Sequence, residues 1–186
     1  MMYPVFLKLD GLPVVVVGGG RVAAGKIGGL VAAGAKVTVV APAIDPLVRV
    51  HAVRIVDRAY QPSDLDGARW VVAAAPGDVN AAVAEEAGRR GIFVNAVDDT
   101  ASSTAYLGGV VRRDGVTLAI STEGDAPALA GLLREALDAL LPADVSRWVD
   151  AARAARRDWL ARHVPMAERR PLLLRALNQL YQRGRA

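Results

Sequence analysis

Three glycines and a pair of aspartates are the residues through which this chain could do chemistry. Gly18-Gly19-Gly20-Arg21-Val22-Ala23 fits the pattern G-x-G-x-x-G/A. In that pattern Gly18 makes the tight turn, Gly20 lets main chain approach a pyrophosphate, and Ala23 allows a helix to pack closely on a strand. A helix opening at Arg21 would add free N–H groups and the positive end of its dipole. The ligand for such a loop is a dinucleotide. The pattern gains its weight from its setting, after an apolar β-branched run and before a helical one. In NAD enzymes an acid about 20 residues on holds the ribose hydroxyls. Here Ala41-Pro42 stands in that place, Asp45 is the nearest carboxylate, and Arg49 is an isolated cation. These residues leave NAD against NADP open.

Asp98 and Asp99 follow the run Ile92–Val97, at the carboxyl end of an expected strand, where open α/β sheets place their chemistry. A strand-end aspartate also forms turns, and residue type alone weighs the two roles evenly. Other constellations are missing. Tyr106 is followed four residues on by Val110 rather than a lysine, the two histidines His51 and His163 are far apart in sequence, and no metal-ligand spacing occurs. No metal site is expected.

Positioning those residues requires an alternating βα chain. Val14–Val17 reads as a strand buried on both faces. A helix from Arg21 to Ala33 stops at Gly34, and strands are expected at Lys36–Val40, Val53–Val56, Trp70–Ala75 and Ile92–Val97, with a helix over Asp78–Arg90. Such alternation implies a parallel sheet with right-handed crossovers. The pattern then changes: Ala105–Thr122 reads as a hairpin turning at Asp114-Gly115. After it Asp125 is an expected N-cap, and Leu129, Leu132, Leu133, Ala136, Leu137 and Leu140 form one apolar helical stripe. From Ser146 to Arg185 two more helices are expected, split near Val164-Pro165. The fold class is therefore α/β: a Rossmann-type parallel sheet, then a small α+β region and a helical C-terminal domain.

The bulk properties agree. A chain of 186 residues can bury a real core. It has no cysteine, which removes disulfides, thiolate metal sites and cysteine nucleophiles and suits a reducing compartment. No secretion signal and no apolar run long enough to span a membrane is seen, so a cytoplasmic location is expected. The net charge is +4, carried mostly by arginine, with lysine only at positions 8, 26 and 36. No DNA-binding signature accompanies it, so no nucleic-acid partner is expected.

Taken in order, "YPVFLKLDGLPVVVVGGGRVAAGKIGGLVAAGAKVTVVAP", "VNAVDD" and "VTLAISTEGDAPALAGLLREALDALLP" closely resemble the precorrin-2 dehydrogenase and sirohydrochlorin ferrochelatase family, the sirohaem synthase N-terminal module. The resemblance runs from Tyr3 to about Pro142. It implies a homodimer with an NAD-binding domain over 1–104, a dimerisation region over 105–143 and a helical domain over 144–186, the active site lying between domains. It implies oxidation of precorrin-2 to sirohydrochlorin with NAD, Asp98 being the general base; some relatives also insert Fe2+. Expected cofactor contacts are Gly18, Gly19, Gly20, Arg21, Val22, Ala41, Pro42, Ala74, Ala75 and Asn95. Expected substrate contacts are Thr122, Gly124 and Arg112, the substrate being rich in carboxylates. Two departures stand out. Glu123 and Asp125 put acids into a loop that is glycine- and serine-rich in relatives, and the loop after the fourth strand lacks a threonine while keeping Asn80. The alternative reading is a non-catalytic dimer that senses NAD(H) through the same glycine loop.

Overall fold

A computed structural model describes residues 2–51 and 53–182. The chain forms two compact units, one ending at Leu107 and the other beginning at Gly108. In the first unit, β1 (Pro13–Val17), β2 (Lys36–Val40), β3 (Arg54–Val56), β4 (Trp70–Ala73) and β5 (Phe93–Ala96) build one parallel sheet in the order β3-β2-β1-β4-β5. The order reverses at β1, so the loops after β1 and β4 open side by side, at the point where such sheets bind ligands.

Burial explains the strands. Val14 and Val16 point into one core with Ile27, Leu30, Val37 and Val39, while Val15 and Val17 point into a second with Val40, Val71, Val83 and Val94. A central strand covered on both faces reads as an unbroken apolar run, and each fully buried valine contributes about 1.5–3 kcal/mol. Helix α1 (Arg21–Ala32) covers the first face and ends where Gly34 takes φ +79°. Helix α3 (Gly77–Arg89) packs on β4 and β5. Between them lie two short elements without a sequence signal, α2 (Pro46–Arg49) and a 3₁₀ turn at Pro62–Leu65.

The open edge of β5 is closed by side chains. Thr104 Oγ1 accepts from the Val94 N–H at 2.9 Å, Ser103 Oγ accepts from the Ala96 N–H at 2.9 Å, and the Asn95 amide donates to Ala105 O at 3.0 Å. The segment after the aspartate pair thus lies along the strand as a substitute neighbour, which also removes an edge open to further pairing.

The second unit begins with the hairpin β6 (Gly109–Arg113) and β7 (Val116–Ile120), turning through Asp114 at φ +46° and Gly115 at φ +86°. Helix α4 (Pro127–Leu140) packs on it, pinned by Arg113, which donates to Asp138 at 2.7 Å and to Leu141 O at 2.6 Å. Asp125 is not the N-cap of this helix. The cap is Ala126, with Pro127 opening the helix, and the Asp125 N–H instead closes the preceding turn onto Thr122 O at 3.0 Å. Helices α5 (Val145–Ala161) and α6 (Met166–Gln182) follow, joined through His163 at φ +53°. The expected end of the last helix, Arg185, lies outside the described residues.

Candidate functional site

The strand register puts the expected residues in one row. Val17 is level with Val40 on one side and Ala73 on the other, and Ala73 is level with Ala96. The next residue of each strand is therefore Gly18, Ala41, Ala74 and Val97, all at the carboxyl edge of the sheet. Main-chain bonds lock the row: the Gly18 N–H donates to Val40 O at 2.9 Å, that of Ala74 to Val17 O at 2.7 Å, and that of Val97 to Ala73 O at 2.8 Å. Asp98 comes one residue later.

The three glycines have three different reasons. Gly18 takes φ +121°, and a Cβ there would lie 2.1 Å from Ala74 O, so the turn and the β4 loop exclude any side chain. A Cβ on Gly19 would lie 2.2 Å from Ala43 O and 2.8 Å from Ile44 Cδ1. Gly20 differs: its φ is −87°, suited to any residue, and a Cβ would meet nothing within 4 Å. The protein's own packing does not need a glycine at 20, but close approach of a pyrophosphate does. Directly behind it α1 opens with no side-chain cap and no acid in its first turn, leaving its N–H groups for an anion. Arg21 and Val22, the first two residues of that helix, are exposed, and Ala23 is fully buried. The cradle fits a dinucleotide.

The place of the missing ribose acid has a physical account. Ala41 is 4% exposed, and its Cβ would lie 3.0 Å from a Cβ built on Gly19, so it is packed against the glycine loop. Asp45 is already engaged: its N–H donates to Gly19 O at 2.8 Å and its Oδ1 accepts from the Leu47 N–H at 2.8 Å, capping α2. Pro42 is exposed beside Ala41, while Ala74 and Ala75 are half-buried next to the glycine turn.

The two aspartates separate clearly. Hydrogen bonding from the Ser102 side chain and main-chain N–H holds the Asp99 carboxyl below the usual carboxylate range, and the Ser102 N–H lies 3.0 Å from its Oδ1. Asp99 is thus a turn former. Asp98 sits at φ +59°, in the left-handed region, and among the described residues its carboxylate makes no hydrogen bond or ion pair. It is the third residue of a turn that the Asp99 N–H closes on Ala96 O at 3.3 Å, a left-handed place that aspartate tolerates. Asn95 lies within β5, 8% exposed, with its amide committed to Ala105 O.

Arg112, Thr122 and Gly124 belong to the second unit: Arg112 on β6, and the other two in the turn between β7 and α4. In that turn Glu123 at φ +57° and Gly124 at φ +90° are both left-handed. Arg112 makes no ion pair or side-chain hydrogen bond among the described residues, whereas Arg134 pairs with Glu135 at 3.2 Å. One further residue, noted in the sequence only as kept in the loop after the fourth strand, gains a role from the fold. Asn80, 4% exposed, binds Ala75 and Val97 at once; its partners are 5 and 17 residues away in sequence, and no periodic pattern marks it.

Comparison with known proteins agrees with this geometry. Residues 5–109 match the family model "Putative NAD(P)-binding". Siroheme synthase 1 of Aeromonas salmonicida is 40% identical over 181 residues, covering 94% of this chain and 38% of the relative. Siroheme synthase 2 of Aeromonas hydrophila is 44% identical over 142 residues, covering 75% of this chain and 30% of the relative. The chain thus spans 38% and 30% of the length of these two curated relatives. The solved structure of SirC, a precorrin-2 dehydrogenase, superposes with a TM-score of 0.74 at 26% identity, covering 94% of this chain and 88% of that one. The chain belongs to this NAD(P)-binding family; its sequence is similar to part of the siroheme synthases and its fold to that of a precorrin-2 dehydrogenase.

Proposed function

We propose that the chain catalyses the oxidation of precorrin-2 to sirohydrochlorin in sirohaem synthesis, with NAD+ as the acceptor. The observation that carries this is an unpartnered, left-handed Asp98 one residue beyond the strand-end row that holds the glycine loop. Likeness to a precorrin-2 dehydrogenase over nearly the whole of both chains supports the enzyme over a sensor. The balance is precorrin-2 plus NAD+ giving sirohydrochlorin, NADH and a proton. Bound NAD+ supplies the hydride acceptor. What the chain must supply is a floor for the pyrophosphate, from Gly18, Gly19, Gly20 and the start of α1, and a carboxylate to take the proton. Arg21, Val22, Ala41, Pro42, Ala74, Ala75 and Asn95 complete the proposed cofactor contacts. Asp98 is proposed as the base, having no competing partner among the described residues and lying next to the cofactor floor.

Arg112, Thr122 and Gly124 are proposed to contact the substrate, Arg112 offering a charge-assisted bond to a carboxylate. Fe2+ would be a second substrate of the same site, with Asp98 accepting pyrrole protons. A cytoplasmic homodimer is the proposed setting. The stripe on α4 supports the dimer: Leu129, Leu132, Leu133 and Leu140 are all exposed in the single chain, a run of apolar side chains along one helix that a second copy would cover. Light scattering should give twice the mass of one chain; a monomer at working concentration would contradict it.

Substituting Asp98→Asn tests the assigned base. Turnover is expected to fall by about 10²-fold or more, the scale of general-base loss, while NAD+ affinity measured by calorimetry stays as in the wild type. Unchanged turnover would remove Asp98 from the role.

A further inference from the structure

Asn80 joins two main-chain segments that the proposed reaction needs held in place. It lies in the first turn of α3, its own N–H bonded to Pro76 O at 2.9 Å, and it is 4% exposed. A buried amide persists where its polar atoms are matched, and here both are matched by main chain. Oδ1 accepts from the Ala75 N–H at 3.0 Å, and Nδ2 donates to Val97 O at 3.5 Å, a long bond.

Each partner adjoins one half of the site. Ala75 follows Ala74, whose carbonyl occupies the space a side chain on Gly18 would need. Val97 precedes Asp98, and both of its main-chain polar atoms are held, the N–H by Ala73 O and the carbonyl by Asn80. Asp98 is the third residue of a turn closed by the Asp99 N–H on Ala96 O at 3.3 Å, and the Val97 carbonyl is the main-chain atom on its N-terminal side that a side chain holds. We infer that Asn80 is a positioning residue for the oxidation, its oxygen fixing the floor of the cofactor loop and its nitrogen fixing Asp98. This inference rests on the proposed reaction.

The chemistry of the two ends gives a specific test. Leucine has the shape of asparagine and neither bond. Aspartate keeps the acceptor for Ala75 and regains a donor for Val97 only when protonated. In Asn80→Leu, NAD+ affinity by calorimetry should fall by about tenfold or more and kcat by about 10²-fold, the cost of misplacing a catalytic group. In Asn80→Asp, burial raises the new carboxyl's pKa, so the ratio of its kcat to that of the wild type should rise at least about tenfold between about pH 8 and about pH 6. A pH-independent ratio, or Asn80→Leu with wild-type kcat, overturns the positioning of Asp98. A buried carboxyl with a raised pKa also destabilises the fold more at about pH 8 than at about pH 6, so melts are run at both pH values, and a ratio that rises only as far as the folded fraction does overturns it too. If wild-type protein binds NAD+ but does not oxidise precorrin-2, the proposed function fails, and the inference about Asp98 falls with it. The cofactor half is then decided separately, an unchanged NAD+ affinity in Asn80→Leu overturning it.

Discussion

Gly18 and Gly20 carry the same side chain for opposite reasons, and that difference can be measured. An alanine at 18 would take a φ of +121° and collide with Ala74 O; the conformation alone costs about 1–3 kcal/mol before the collision is counted. An alanine at 20 meets nothing and takes an ordinary φ of −87°. Gly18→Ala should therefore melt well below the wild type. Gly20→Ala should melt within about 1 °C of it, yet bind NAD+ at least about tenfold more weakly because its methyl stands where the pyrophosphate must come. Thermal melts with and without NAD+ check both. Equal NAD+ affinity in Gly20→Ala would mean that the ligand does not approach the loop there. The sequence pattern picked out both glycines but could not tell them apart, since only the position of Ala74 distinguishes them.

At the scale of elements, the row of strand ends depends on a sheet in which the crossover passing the most strands, from β3 past β2 and β1 to β4, lacks a full helix. Between β3 and β4 the chain has only the 3₁₀ turn at Pro62–Leu65, and ion pairs hold it. Arg58 donates to both Asp64 oxygens, at 2.8 and 2.6 Å, and the Gln61 N–H donates to Asp64 Oδ2 at 2.8 Å. Asp66 pairs with Arg90, which with Arg89 also pairs with the buried Glu86 of α3. The bond from Arg58 holds the Asp64 carboxyl below its ordinary range and raises the Arg58 guanidinium. A carboxylate whose folded-state pKa is depressed stabilises the fold above its unfolded pKa, and loses that contribution as pH falls through the folded value. Asp64→Asn should thus melt a few degrees below the wild type near neutrality, the gap closing in melts run below about pH 4. A gap that stays constant into acid would show that the pair does not hold the turn. This element was not legible in the sequence, because four residues fixed by ion pairs have no hydrophobic period. The long elements were legible, since β1, β2, β4, α1 and α3 each bury a face that their apolar spacing announces. Asp125 misled for a local reason: Pro127 opens α4 after Ala126, leaving the aspartate in the turn.

For the whole molecule, the alternating βα pattern, the glycine loop and the aspartate pair were readable in order, and the parallel sheet follows from them. What the sequence could not convey is how distant side chains close the site. Asn80, Ser103 and Thr104 reach main chain 5 to 17 residues away, and such contacts leave no repeat to read. The account predicts one activity from this arrangement, and the most direct test is anaerobic incubation of the purified protein with precorrin-2 and NAD+, following NADH and sirohydrochlorin absorbance together, with NADP+ in parallel. NADH and sirohydrochlorin rising in equal amounts is the predicted result. Tight NAD+ binding with neither product formed would contradict the proposed dehydrogenase and leave Asp98 without its role.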